Sequence, residues 1–235
     1  MPQIKKAILK FNIEDDLSLR YGHKLRGFFA NRFEDVLFHN HKENGNYRYA
    51  YPLIQYKIIE GKPSVIALEE GAELVIKNFL DIDKLKLVDK EYTQPERRLE
   101  VVDENLDVSP KDEGLKFKYK LLSPWLGLNQ KNHRKYLKLV RDSSEGKQLE
   151  FLKRILIGNI LTFAKGVDWW IEEEIIVVPQ LKAIDVQFKN QKMLGFVGEF
   201  DSNLCLADYI GLGKSTARGF GTIEKISNEQ RTIDD

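Results

Sequence analysis

The chain is poor in several things, and each shortage excludes a class of protein. Among its 235 residues there is one cysteine, Cys205, so neither an intrachain disulfide nor a cysteine-built zinc cluster is available. Cys205 sits in Leu204-Cys-Leu206, the setting of a buried structural thiol rather than a reactive one. No apolar run reaches membrane length and no signal peptide is present, which makes the cytoplasm the expected location and leaves no membrane partner. The net charge is only +1, so a nucleic-acid site would have to come from a local arrangement of charge. There is no HExxH pattern, no isolated carboxylate pair of the kind that hydrolyses glycosides, and no cofactor motif. No stretch of the sequence repeats another.

What the chain does have is concentrated near its C-terminus. Gly211-Leu-Gly-Lys-Ser-Thr-Ala-Arg-Gly-Phe-Gly-Thr222 holds four glycines within eleven positions, with Lys214 and Arg218 between the two pairs and no acid from Tyr209 to Ile223. Glycine lets backbone approach a ligand closely, and free amides beside two cations suit a phosphate-bearing partner. A turn joining a helix to an edge strand would have the same composition. Gly213-Lys214-Ser215 imitates the end of a P-loop. The first glycine of that pattern would fall on Asp208, and here a helix-like segment precedes and a strand-like one follows, the reverse of what a P-loop requires.

Taken in order, residues 3–13 read as a strand, with Leu9, Phe11 and Ile13 alternating. Ser18 offers a cap for a helix carrying Leu25, Phe28, Phe29 and Phe33 inward, with Arg20 and Lys24 on another face. Tyr47–Ile59 and Ser64–Leu68 form a hairpin around Gly61 and Pro63. Ala72–Leu80 is a short helix and Lys84–Val88 a fourth strand. This β-α-β-β-α-β order is that of the ferredoxin-like unit, the layout of RRM-type domains.

Residues 91–114, rich in charge and carrying Pro95 and Pro110, read as a linker or hairpin between a domain over 1–90 and a second over 115–235. The second half has a strand at Leu115–Leu122, a basic helical turn at Lys131–Lys138, and an amphipathic helix from Leu149 to Gly166. Strands follow at Ile171–Val178, Ala183–Phe188 and Met193–Phe200. A helix capped by Asp201 or Ser202 then runs to Ile210, and a last strand spans Phe220–Ile226. The expected class is therefore α+β, with two tandem ferredoxin-like βαββαβ domains.

Histidine alone has an unperturbed pKa near neutrality, and the chain has four, His23, His39, His41 and His133. In an extended segment His39 and His41 point the same way and could share an acid–base task. Tyr47 and Tyr49 nearby could stack on a base. An exposed polar loop or half of a metal site fits the same letters. His23 reads as a helix-surface residue. His133, among Lys131, Arg134 and Lys135, reads as part of a solvated basic face, with contact to an RNA backbone as the second description.

The pattern Gly211-Leu-Gly213, basic spacer, Gly219-Phe-Gly221 before a last strand resembles the glycine-rich loop of the CRISPR-associated repeat-RNA endoribonucleases, the sixth Cas family. Leu25-Arg-Gly-Phe-Phe-Ala-Asn-Arg-Phe33, Phe38-His-Asn-His41 and Tyr51-Pro-Leu-Ile-Gln-Tyr56 resemble its type I-B subgroup. The resemblance implies two tandem ferredoxin-like domains and metal-independent cleavage of CRISPR precursor RNA within its repeats. The RNA's own 2′-hydroxyl would attack and leave a 2′,3′-cyclic phosphate. It implies His39 and His41 as base and acid, in either order, with Tyr47 orienting the phosphate. It also implies Gly211, Gly213, Lys214, Ser215, Arg218, Gly219, Phe220 and Gly221 as RNA-binding residues, with Arg20 and Lys24 beside them. Repeat RNA is the implied partner, with a CRISPR effector complex beyond it, and no cofactor or metal. A monomer or a homodimer is compatible. The alternative is a non-catalytic RNA-binding subunit of such a complex.

Overall fold

The computed structural model describes residues 2–39, 50–87, 90–142, 145–188 and 191–226. Two four-stranded antiparallel sheets carry the chain. The first is built from β1 (Gln3–Asn12), β2 (Ile54–Ile59), β3 (Lys62–Leu68) and, beyond a small hairpin of β4 (Lys84–Leu87) with β5 (Lys90–Thr93), β6 (Glu96–Asn105). Their order across the sheet is β2-β3-β1-β6, the second-third-first-fourth arrangement of a ferredoxin-like unit. Two helices, α1 (Gly22–Arg32) and α3 (Glu70–Asn78), with the single turn α2 (Val36–His39) between them in sequence, accompany this sheet. Leu9 and Phe11 of β1 pack with Leu25 and Phe29 of α1 and Val75 of α3.

The fourth strand is therefore not Lys84–Val88, and residues 96–105 are not linker. β6 pairs with β1 along its whole length, from Gln3↔Asn105 to Asn12↔Glu96. It is an edge strand with one wet face, so six of its ten residues can be charged and the apolar signal of a strand is lost. Lys84–Leu87 is a strand of the separate hairpin, and it buries only Leu85 and Leu87.

The second sheet follows β7 (Asp107–Val108) and consists of β8 (Phe117–Leu121), β9 (Val177–Phe188), β10 (Gln191–Ser202) and, past β11 (Leu204–Cys205), β12 (Ile223–Lys225). Its order, β12-β8-β10-β9, is again fourth-first-third-second. Between β8 and β9 come α4 (Gln130–Arg141) and α5 (Glu145–Gly166). α5 buries Leu152, Leu156, Ile160 and Phe163, a stripe at helical spacing.

Two sequence expectations fail here. β9 is one strand running through Pro179 rather than two, because it lies at the sheet edge, where a missing N–H costs no ladder bond. No helix forms between Ser202 and Ile210. Leu204, Leu206, Ala207 and Ile210 are all fully buried, and no residue from Ser202 to Ile210 is exposed. The buried Asn203 fixes it instead, donating to the carbonyls of Ser109 (2.9 Å) and Glu174 (3.0 Å) and accepting from the Ile176 amide (2.9 Å).

The two halves share a core. Ile4, Tyr51, Leu53 and Leu68 of the first half pack into the cluster built from Tyr119, Trp125, Phe163, Phe196 and Phe200 of the second. β2 is buried on both faces. Ile54, Tyr56 and Ile58 join the core of the first half. Gln55 and Lys57, pointing the opposite way, hydrogen-bond to residues 211 and 222 of the second half.

Candidate RNA-processing site

The glycine-rich stretch is a folded loop laid against β2. Gly211 donates its amide to Gln55 Oε1 (2.9 Å) and accepts from Tyr51 Oη (2.9 Å), while Gln55 Nε2 donates to the same Tyr51 oxygen (2.8 Å). Inside the loop, Leu212 bonds to Gly221, Lys214 to Leu126, Gly219 to Thr216 and Gly221 to Pro124, each amide at 2.9–3.0 Å from its carbonyl. Gly213 (φ 90°) and Gly219 (φ 88°) take left-handed backbone, and a Cβ at Gly219 would lie 3.0 Å from the Tyr56 carbonyl. The amides of Gly211, Gly219 and Gly221 are thus committed inside the protein. What the loop presents outward is Lys214, which is exposed, with Ser215, Arg218 and Phe220 half-buried.

α1 meets this loop directly. A Cβ at Gly22 would stand 2.6 Å from the Arg218 carbonyl and 3.0 Å from that of Tyr56, so only glycine allows the helix to approach so closely. A cavity of about 160 Å³ opens beside the contact, lined by Arg20, His23, Arg218 and Phe220. Arg20 and Arg218, both anticipated as phosphate ligands, are brought together there. Lys24 is not part of it. Its ammonium lies 4.2 Å from the Tyr21 ring centroid, at the border of a wider cavity of about 630 Å³ shared with His23, Asn31, Arg32 and Lys86.

Tyr56 connects this arrangement to the histidine segment. Its ring packs on Phe29 (5.3 Å between centroids), and its hydroxyl donates to the Phe38 carbonyl (3.2 Å). Phe38 is fully buried and stacks on Phe33 at 4.8 Å. The backbone immediately before His39 is therefore pinned, and His39 closes α2 rather than lying in an extended loop. His41 and Tyr47 fall outside the described residues. Burial raises the Tyr56 hydroxyl pKa above its ordinary value, and the Arg26 charge acts against that rise.

His23, which the sequence reads as a helix-surface residue, lines both cavities. Arg20, His23 and Gly27 recur at helical spacing, so a face chosen for Arg20 already included His23. Among the described residues no group of three or more histidine, cysteine or acidic side chains is placed to hold a metal. None of the described helices is long and apolar enough to cross a membrane.

Comparison with known proteins gives a consistent picture. The family model of the Cas6b N-terminal domain matches residues 2–105, and that of the Cas6b C-terminal domain matches residues 113–226. A solved crystal structure of Cas6b superposes with a TM-score of 0.86 at 34% identity, covering 96% of this chain and all of that one. A second, described as the CRISPR RNA processing endoribonuclease Cas6b, superposes with a TM-score of 0.73 at 33% identity and the same coverage. An uncharacterized protein of Methanocaldococcus jannaschii is 36% identical over 110 residues, which is 46% of this chain and 72% of that protein.

Proposed function

The chain belongs to the Cas6b family, and on that premise we propose that it is an endoribonuclease that cleaves CRISPR precursor RNA within its repeats, without a metal ion, by attack of a ribose 2′-hydroxyl on the adjacent phosphate. One of His39 and His41 takes the proton of the 2′-hydroxyl as the new P–O bond forms. The other, starting protonated, gives its proton to the departing 5′-oxygen as the old P–O bond breaks. The products are a 2′,3′-cyclic phosphate and a 5′-hydroxyl, and the two imidazoles finish with their protonation states exchanged. Both proton transfers are supplied by side chains, so the scheme calls for no metal. Tyr47 orients the scissile phosphate.

The observation that carries this reading is the convergence on Tyr56. Its hydroxyl holds the backbone that leads into His39, and its carbonyl lies beneath both Gly22 of α1 and Gly219 of the glycine loop. Tyr56 thereby links the place where loop and helix meet to the root of the histidine segment, which supports a phosphodiester bound there. Lys214, Ser215, Arg218, Phe220, Arg20 and Lys24 bind the RNA, with the cations on its backbone fixing register rather than sequence. Gly211, Gly213, Gly219 and Gly221 give the loop its shape, and the positive groups stabilise the charge that grows on the phosphorane-like transition state. His23, between the two cavities, joins Arg20 and Arg218 as a phosphate-facing group. We place the domain boundary between Leu106 and Gly114, after β6.

The test is cleavage of a cognate repeat RNA in excess EDTA by the parent and by the His39→Ala, His41→Ala double variant, beside an RNA carrying a 2′-deoxy substitution at the cut. Cutting by the parent alone, on the unmodified RNA alone, is the expected result. Binding without cutting by the parent would replace this reading with that of a non-catalytic RNA-binding subunit.

A further inference from the structure

α4 is a basic helix with no acid in it. Gln-Lys-Asn-His-Arg-Lys-Tyr-Leu-Lys-Leu-Val-Arg, residues 130–141, contains five lysines and arginines. All five, Lys131, Arg134, Lys135, Lys138 and Arg141, are exposed, and no ion pair among the described residues engages any of them. Several surface lysines elsewhere are matched to carboxylates, as in Lys5–Glu73, Lys10–Glu60, Lys111–Glu174 and Lys116–Glu113, and unmatched ones such as Lys77, Lys165 and Lys182 are scattered rather than gathered on one helix. A helix that merely faces water usually carries acids three or four residues from its cations. Here Lys131–Lys135 and Arg134–Lys138 are like charges at that spacing, which weakens an isolated helix. Lys131 also stands in the first turn, where cations oppose the helix dipole. Only Tyr136 of the helix is buried. The sequence gains no fold stability from this pattern, and a polyanion would give it a use.

Position supplies the second observation. The Asn129 side chain caps α4 by accepting from the Asn132 amide (2.8 Å). Three residues before that cap, the Leu126 carbonyl accepts the amide of Lys214 (3.0 Å). The backbone of Lys214 in the glycine loop is thus bonded to the segment that leads into α4, and the cations of that helix span about 15 Å at 1.5 Å per residue. On its flank a groove of about 670 Å³ separates α4 from α5. Lys135 and Lys138 line one wall, Lys147 and Arg154 the other, with Leu139 and Phe151 in its lining as well. Asp142 and Glu150 also line it, and Glu150 is partly neutralised by Lys153 at 3.7 Å.

We propose that α4 and its groove with α5 form a second RNA-backbone site that receives the single strand leaving the glycine loop, away from the scissile phosphate. This rests on the RNA-processing reading above. The site binds phosphate and ribose and is indifferent to sequence. It lengthens the footprint on the substrate by the few nucleotides that 15 Å of helix can track.

The test uses the full chain with Lys131, Arg134, Lys135 and Lys138 changed together to Gln, which keeps an exposed helix of good propensity. A control neutralises Lys5, Lys10, Lys111 and Lys116, which are already paired with carboxylates. Binding of a full repeat RNA and of copies shortened from either end is measured from 50 to 200 mM salt. The expected result is a slope of log affinity against log salt shallower by about 3 for the α4 variant, from about 0.7 per single-strand phosphate contact. The control should keep the parent slope. RNA shortened from one end should bind parent and α4 variant alike. Parent-like affinity and slope for the α4 variant on every RNA would overturn the proposal, and so would an equal loss in the control. Failure of the underlying reading looks different, since the parent itself would then fail to cut the repeat, whatever the salt slopes of the two variants.

Discussion

Lys57 of β2 and Thr222 at the end of the glycine loop are joined by a 2.9 Å hydrogen bond across the seam between the two halves. The Thr222 hydroxyl in turn donates a hydrogen bond to the Gly219 carbonyl (3.1 Å). Lys57 is 1% exposed, no ion pair engages it among the described residues, and burial drives its pKa well below the ordinary lysine value. The unfolded chain therefore holds one more proton than the folded one between the depressed pKa and about 10.4. Across that window stability rises with pH, by at most about 1.4 kcal/mol per pH unit from this group. Lys57→Met should flatten the rise and raise stability at neutral pH, because the desolvation cost disappears while Thr222 keeps its bond to Gly219. Denaturant titrations of both proteins from pH 6 to 10 check this, and parallel curves would refute it.

Tyr56→Phe removes the bond to the Phe38 carbonyl and leaves that buried acceptor unsatisfied. The expected cost is about 1–3 kcal/mol of stability, with cleavage slowed more than RNA binding is weakened, since the loosened backbone leads into His39. Single-turnover rates and equilibrium binding, measured side by side, check the split. An equal loss in both would argue against a role for Tyr56 at the histidine segment.

Gly22 and Gly27 lie five residues apart on α1 and should respond oppositely to alanine. At Gly22 the new Cβ meets the Arg218 and Tyr56 carbonyls, whereas at Gly27 it meets nothing within 4 Å. Gly27→Ala should gain roughly 0.5–1 kcal/mol by helix propensity. Gly22→Ala should lose about 1–3 kcal/mol and weaken RNA binding, as α1 is forced off the loop. Thermal midpoints of the two variants decide it.

Arg218→Ala should weaken repeat RNA binding at every sequence tested and make the salt dependence shallower by about 0.7, the share of one single-strand phosphate contact. An unchanged slope would remove Arg218 from the backbone-binding set.

The parts of this molecule legible in the sequence are those whose signal is local. The alternation of Leu9 and Phe11, the stripe of Leu152, Leu156, Ile160 and Phe163, and the glycine spacing of 211–221 each reflect a neighbour a few residues away. The misses depend on distant partners. β6 looked like linker because its pairing with β1 leaves one face to water. Pro179 looked like a strand end because nothing local says that β9 is an edge. Nothing local to Lys57 reveals that the glycine loop, through Thr222, covers it. His23 reads as a helix-surface residue, and residues of the second half, Arg218 and Phe220 among them, turn it into the wall of a cavity.

The way the second half covers β2 also sets an order of events during synthesis. β2 lies at the edge of its sheet, and the residues that complete its cover reach it from 156 to 165 positions later in the chain. Until those residues emerge, a nascent first half presents an open strand rich in isoleucine, the kind of edge that recruits strands from other molecules. Expression at a temperature that slows aggregation, or in the presence of chaperones that hold exposed strands, should therefore raise the yield of the full chain. The first half produced alone should aggregate even where its own core is intact.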